Sequence, residues 1–399
     1  MRTLVGGVSL LSEHVSHMNT IMMGIAVPSG SCHDYFTHSG TSHLSEHLHA
    51  IACNQGIGPY KLQRIAIEAF TEREETFFLL QAMPEDINIL CEWLQHFLCP
   101  PEVSNSEFCK EKAIVQEEVL TLECSEIDKI DKAFYANGYK HSPYGLPVGG
   151  QSAEIATLEQ KDIMHNIRNG HLQEGMTVAI IGDIDGTSYL EAVMQAIERA
   201  ETPLSAPATP LDKTALQPGH LSIPSDLGVN YFLIGFPAYN RTAKDRINLY
   251  AANLFFGNDI NSLLFRLLRE DKALTYSIKS EYQLFKKAGH LTVKGLASDD
   301  NFSEAINVCR RACDEMRDWH VMPEQVEQIK YALKKMLFMN LDEPRNKLLR
   351  LLKHELWFST YFTLQDDLSE VEKVTRDSLF STAKNIFSKP ALLCYGAKR

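Results

Sequence analysis

The chain alternates between short apolar runs and longer stretches with helical spacing. Leu4–Leu11 and Thr20–Val27 are dense in aliphatic residues and read as strands. From about Thr41 the period lengthens: Leu44, Leu48 and Ile51 fall at i, i+4 and i+7, one stripe of a helix. Thr76–Gln81 reads as a strand, and Pro84–Leu98 and Asn105–Phe134 as helical stretches. Met176-Thr-Val-Ala-Ile-Ile-Gly182-Asp183 is a continuous apolar run ending in a turn, the pattern of a buried strand. The second half repeats this rhythm. Asn230–Phe236 is strand-like, Ala243–Phe256 and Ser262–Glu270 helical, Thr275–Leu284 and His290–Leu296 strand-like, and helices follow to about Phe387. Strands mixed with long helices in each half predict an α+β protein of two related α/β-sandwich domains.

The break between them falls at Glu201 to His220, where Pro203, Pro207, Pro210 and Pro218 stand among Ala, Ser and Thr. Such text suits an extended linker. The expected domains are therefore 1–200 and 221–399, joined by 201–220, and a chain of 399 residues accommodates two. Charge narrows the function. With 39 basic and 51 acidic residues the net charge is −12, which argues against a basic face gripping nucleic acid. No apolar run reaches the ~18 residues of a membrane span. The first residues carry one basic group and an apolar stretch broken by Gly6 and Gly7, unlike a signal peptide. The 9 cysteines are odd in number and scattered, with no Cys-x-x-Cys pair, so a reducing, cytoplasmic setting is expected.

The strongest chemical signal is His43-Leu-Ser-Glu46-His47. Histidines four apart on a helix lie ~40° apart around its axis, so both rings can reach one metal ion. Glu46 shares that side, whereas His49 falls nearly opposite His47. Gly40, Thr41 and Ser42 suit a helix start. A solvated helix start with two unremarkable histidines fits the same string, and a carboxylate from elsewhere would separate the readings. One candidate lies in Cys109-Lys-Glu111-Lys-Ala-Ile-Val-Gln-Glu117-Glu118-Val-Leu120. There Val115, Val119 and Leu122 form the apolar stripe. Glu111 and Glu118, seven apart, share a face bordering it, and Glu117 lies on the far side. A metal would explain acids at the edge of a core. From this helix alone, Lys110 and Lys112 balancing a solvated face is the favoured reading.

Taken together, these segments resemble the inverted zinc motif of the pitrilysin/insulinase metallopeptidases, the inverzincins, which include the mitochondrial processing peptidases. The resemblance extends along most of the chain. His141-Ser-Pro-Tyr144-Gly145…Gly150, the run ending at Asp183, and Leu264-Phe-Arg-Leu-Leu-Arg269-Glu-Asp-Lys-Ala-Leu-Thr-Tyr276-Ser277 are each similar to family text, in the family's order. It implies His43, His47 and Glu118 as zinc ligands, Glu46 as general base and Glu111 as a carboxylate behind a ligand. It further implies Arg269 and Tyr276 as contacts to substrate or transition state. The implied reaction is zinc-dependent hydrolysis of peptides or leader segments by an endopeptidase. Two domains would face another pair, from a homodimer or a related subunit, across a closed chamber. No second His-x-x-Glu-His occurs in the later half.

Other functions fit the same resemblance: a non-catalytic scaffold subunit of a larger assembly, or a maturase of one cognate peptide with a partner subunit. Two departures bear on substrate choice. Glu68, in Arg64-Ile-Ala-Ile-Glu68-Ala69-Phe70-Thr71, stands where the family has an asparagine that holds substrate backbone, and its charge would favour a basic substrate group. The family's glycine-rich stretch is reduced to Gly257-Asn-Asp-Ile-Asn-Ser262-Leu263, without its arginine. Elsewhere the expectations are plain: Cys309 and Cys313 pack in a core, Glu72-Arg-Glu-Glu75 forms a solvated turn, and Arg269 and Tyr276, without the resemblance, read as a helix end and a strand aromatic.

Overall fold

The computed structural model describes residues 2–34, 38–184, 188–200, 204–207 and 211–398. Among the described residues, six strands form the first sheet: β1 (Arg2–Val5), β2 (Val8–His14), β3 (Ile21–Val27), β4 (Ile65–Thr71), β5 (Thr76–Ala82) and β6 (Thr177–Gly182). Their spatial order is β1-β2-β6-β3-β5-β4. Five strands form the second: β7 (Gly219–Ser225), β8 (Asn230–Pro237), β9 (Ser277–Leu284), β10 (Gly289–Ala297) and β11 (Leu392–Lys398), in the order β7-β11-β8-β10-β9. The parallel pairs are β2 with β6 and β7 with β11. The second sheet thus repeats the first without its outermost strand, and the duplication expected from the sequence rhythm is present in the topology.

The helices covering these sheets include, in chain order, α1 (Thr41–Ile57), α2 (Ile87–Leu98), α3 (Asn105–Cys124), α4 (Glu126–Gly138), α5 (Ser188–Ala200), α6 (Arg246–Phe256), α7 (Asp299–Arg317), α8 (Pro344–Phe358) and α9 (Arg376–Phe387). The apolar text Leu4–Leu11 is two strands, because Gly6 and Gly7 (φ 55° and 85°) turn the chain back in a two-residue hairpin. Asn105–Phe134 is two helices, because Ser125 stops the first and caps the second, its side chain accepting from Asp128 N. The strands β7 and β11 were not expected, and β7 takes the last two residues of the linker.

The compact units are not the two halves of the sequence. The first comprises Met1–Thr121, Leu146–Pro210 and Asn340–Tyr361, and the second Leu122–Gly145, Leu211–Met339 and Phe362–Arg399. The reason is that each sheet has two apolar faces. In the first unit, Ile21, Met23, Ile25, Phe78 and Leu80 pack against Leu90, Leu94 and Phe97 of α2 and Val193 and Ile197 of α5. The opposite face, including Met22, Ala26, Phe77 and Leu79, is closed by Leu348, Leu351 and Leu352 of α8. Strands buried on both faces read as continuous apolar runs, and β3 is buried at every residue. In the second unit, Phe232, Ile234, Leu291 and Val293 pack on α6, α7 and α9, with Cys309 and Cys313 in that core as expected. The α4 helix packs on β7, β8 and β11. Of the expected linker, 201–203 and 208–210 lie outside the described residues.

Candidate metal centre

The start of α1 is fixed from two sides. Gly40 and Gly150 both adopt left-handed backbone (φ 98° and 85°). They approach so closely that a Cβ on Gly150 would lie 2.5 Å from Gly40 Cα. The buried Asp34 carboxylate accepts from Gly40 N at 2.9 Å, Ser42 N at 3.0 Å and Ser42 Oγ at 2.6 Å. It thereby satisfies N–H groups that a helix start leaves unpaired. Burial pushes this carboxyl up to about 7, opposed by those same hydrogen bonds.

From this start, Leu44 and Leu48 of α1 pack with Val115 and Val119 of α3. That contact brings the polar edges of the two helices together. Leu122 is not part of it: the helix has run past the packed segment, and the side chain is 42% exposed. His43 Nε2 lies 3.9 Å from Glu118 Oε1, and His47 Nε2 lies 3.8 Å from Glu118 Oε2. One ligand atom from each of the three residues falls within 4.8 Å of the others. Tetrahedral zinc with bonds of ~2.0–2.1 Å holds its donors ~3.4 Å apart, so a small contraction suffices. Two imidazole nitrogens and one carboxylate are a donor set zinc accepts, and Glu118 is half-exposed, so the group is reachable.

The outward nitrogens also have neighbours. His43 Nδ1 is 3.4 Å from the Gly149 carbonyl, and His47 Nδ1 is 3.7 Å from Glu111 Oε2. Acceptors on that side favour a proton on Nδ1 and leave each Nε2 lone pair directed at the shared point. Glu111 is only 6% exposed. Lys112 does not balance it, donating instead to the Ala156 and Leu158 carbonyls at 2.8 and 3.0 Å. Lys110 Nζ does approach, 4.0 Å from Glu111 Oε1, so it is the burial of Glu111 that overturns its solvated-face alternative. Glu46 is buried, and its Oε2 accepts from Thr71 Oγ1 at 2.8 Å. Burial raises the Glu46 pKa, with the Thr71 bond opposing, while burial and the neighbouring His47 lower that of His43.

Thr71, at the end of β4, was not singled out from the sequence. Its signal is strand alternation, which puts it on the face of Ile65, Ile67 and Ala69. His49 points away from the centre, as its helical angle requires. Its Nε2 donates to the Phe97 carbonyl at 2.9 Å, so its Nδ1 accepts from His171 Nδ1 at 2.9 Å. Burial lowers His49 to about 3.

Arg269 and Tyr276 belong to the second unit and come together there. The guanidinium stands 5.4 Å from the Tyr276 ring centroid and 4.9 Å from that of Phe265. Tyr276 is 82% exposed. Two acidic features differ from expectation. Glu72-Arg-Glu-Glu75 is not a solvated turn: Glu74 and Glu75 are buried. The partners come from α8, with Lys353 Nζ donating to Glu72 and Trp357 Nε1 to Glu75, each at 2.8 Å. Nor does Glu68 offer an open negative charge, because Arg345 of α8 grips it with two hydrogen bonds.

A helix bearing His-x-x-Glu-His, faced by a helix bearing glutamate on a duplicated α/β scaffold, defines a zinc metallopeptidase architecture. The chain belongs to the insulinase family, peptidase family M16, whose model matches residues 9–152; that of the peptidase M16 inactive domain matches 158–333. A Bacillus subtilis protein named as an uncharacterized zinc protease, YmxG, is 21% identical over 396 residues, covering 97% of this chain and 95% of that protein. A protease from Helicobacter pylori superposes with a TM-score of 0.89 at 15% identity, over 99% of this chain and 98% of that one. A chain of complex III2 from Candida albicans superposes with a TM-score of 0.81 at 14% identity, over 99% and 95%. Relatives named as zinc proteases and the His43/His47/Glu118 group together make zinc the cofactor and a metallopeptidase the type. Among the described residues, no helix is long and apolar enough to cross a membrane.

Proposed function

We propose that this chain is a zinc endopeptidase in which His43, His47 and Glu118 hold the metal and Glu46 is the general base. The observation that carries the reading is a buried carboxylate, Glu46, set on the same helix face as the two histidines and held by Thr71. Bound zinc supplies Lewis acidity, lowering the pKa of water to ~7 and polarising a peptide carbonyl. Glu46 takes the proton from the attacking water and delivers it to the leaving amine. Glu111 and the Gly149 carbonyl keep the two imidazoles in one tautomer. β4 ends the first sheet, and its open edge adjoins Glu46 through Thr71, so it suits a peptide laid alongside as an added strand. Arg269 and Tyr276 are assigned to the carbonyl or developing oxyanion of the bound peptide. A second copy of the chain, or a related subunit, completes an enclosed chamber in the cytoplasm.

The match of 158–333 to the peptidase M16 inactive domain, with likeness to a chain of complex III2, keeps a second reading, a subunit of a larger assembly without catalysis. The two separate when a mixed peptide pool is incubated with purified protein and the fragments are mapped by mass. Cuts at internal bonds are the expected result. An intact pool with zinc at stoichiometry supports the structural reading.

A further inference from the structure

We propose that Glu68 and Arg345 form a closed, charge-neutral pair that sets the side-chain preference of the peptide strand at β4, admitting uncharged residues and disfavouring either charge. This rests on the reading of β4 as the substrate strand.

Alternation along β4 divides its side chains between two faces. Ile65, Ile67 and Ala69 pack into the core beneath α1, and Thr71 on that face reaches Glu46. Ala66, Glu68 and Phe70 take the opposite face, where Phe70 joins the cluster closed by α8. A peptide strand added to the open edge carries the same alternation. Every second side chain therefore comes to lie beside Glu68 and Phe70.

What it meets there is already paired. Arg345 Nε donates to Glu68 Oε2 at 2.8 Å, and its Nη2 donates to Oε1, a bidentate fork. The guanidinium also lies 5.3 Å from the Phe70 centroid, and Phe70 stacks on Phe77 at 5.1 Å. Stacking pins the guanidinium face and the carboxylate pins its edge. Both side chains remain accessible, 47% for Glu68 and 43% for Arg345. Arg345 holds the Glu68 carboxyl below its usual range, so the pair stays ionised and mutually neutral through the physiological range. An arriving acidic residue finds the guanidinium taken, and a basic one finds the carboxylate taken. What is left is the flat surface of a stacked guanidinium and phenyl ring, which suits an uncharged side chain. The preference for basic groups that Glu68 alone suggests is cancelled by a partner 277 residues away.

The test is a charge swap. A peptide series carrying Lys, Gln or Glu at each position in turn is scored by kcat/KM with wild type, Glu68→Gln, Arg345→Gln and the double variant. The same peptides are scored by Kd against each of these in a Glu46→Gln background, and zinc content reports folding. At one position wild type should prefer Gln. Freeing Arg345 in E68Q should raise the Glu-to-Lys ratio by roughly 1.5- to fivefold, the range of an exposed charge pair, and R345Q should lower it similarly. The double variant should return the ratio towards wild type. Cleavage or binding with the ratio unmoved in both single variants overturns the proposal. Ratios that shift in binding while no peptide is cut uphold it and count against the endopeptidase reading. Neither binding nor cleavage of any peptide overturns both.

Discussion

In the proposed centre, Glu111 and the Gly149 carbonyl lie beside the Nδ1 atoms of His47 and His43 and favour leaving each Nε2 for metal. Replacing Glu111 with Ala should weaken zinc binding by ~10–100-fold with the fold intact, as losses behind a ligand do. Chelator competition, with circular dichroism as control, measures this, and unchanged affinity would remove Glu111 from the centre. Residues at this scale were legible where helical spacing converts sequence distance into angle. His43, Glu46 and His47 lie on one side of α1, and Glu111 and Glu118 share a face of α3. Thr71 and Gly149 were not legible, because a strand end and a turn reach the site only through tertiary placement. The pairing of Glu68 was hidden for the same reason: its charge is visible in sequence, but its partner Arg345 is not.

At the scale of elements, the helix start that carries the histidines depends on backbone contact between Gly40 and Gly150. Gly150→Ala puts a methyl group into that contact and strains a left-handed residue, costing about 1–3 kcal/mol. Lower thermal stability and weaker zinc retention are both expected, since the displaced loop also carries the carbonyl beside His43. A variant matching wild type in both would show that α1 is positioned by Asp34 and its core contacts alone. Elements were legible where the apolar pattern is dense, as in β3, β6 and β8, each buried almost throughout. β7 escaped because Gly219–Ser225 is mostly polar and half-open, buried only at its last residue. It gains its place by pairing with β11, a contact no local pattern encodes.

For the whole molecule, the Pro-rich break separates the strands of the two sheets but not the helices that cover them. A fragment of residues 1–210 retains the first sheet and lacks α8, leaving Met22, Phe77, Leu79 and Ile181 uncovered. It should aggregate or bind a hydrophobic dye, and co-expression of 340–361 should reduce both. A soluble, cooperatively melting 1–210 fragment would contradict the assignment of α8 to that unit. Periodicity cannot foresee such an exchange, because α8 reads as an ordinary amphipathic helix of the half in which it is written. The proposed chemistry turns on one acid beside one metal group. Wild type and Glu46→Gln should therefore be compared on quenched peptides, with zinc measured in both preparations. Cleavage by wild type, its loss by ~100-fold or more in the variant, and equal zinc in the two is the predicted result. Cleavage that persists in the variant with its zinc retained would contradict it.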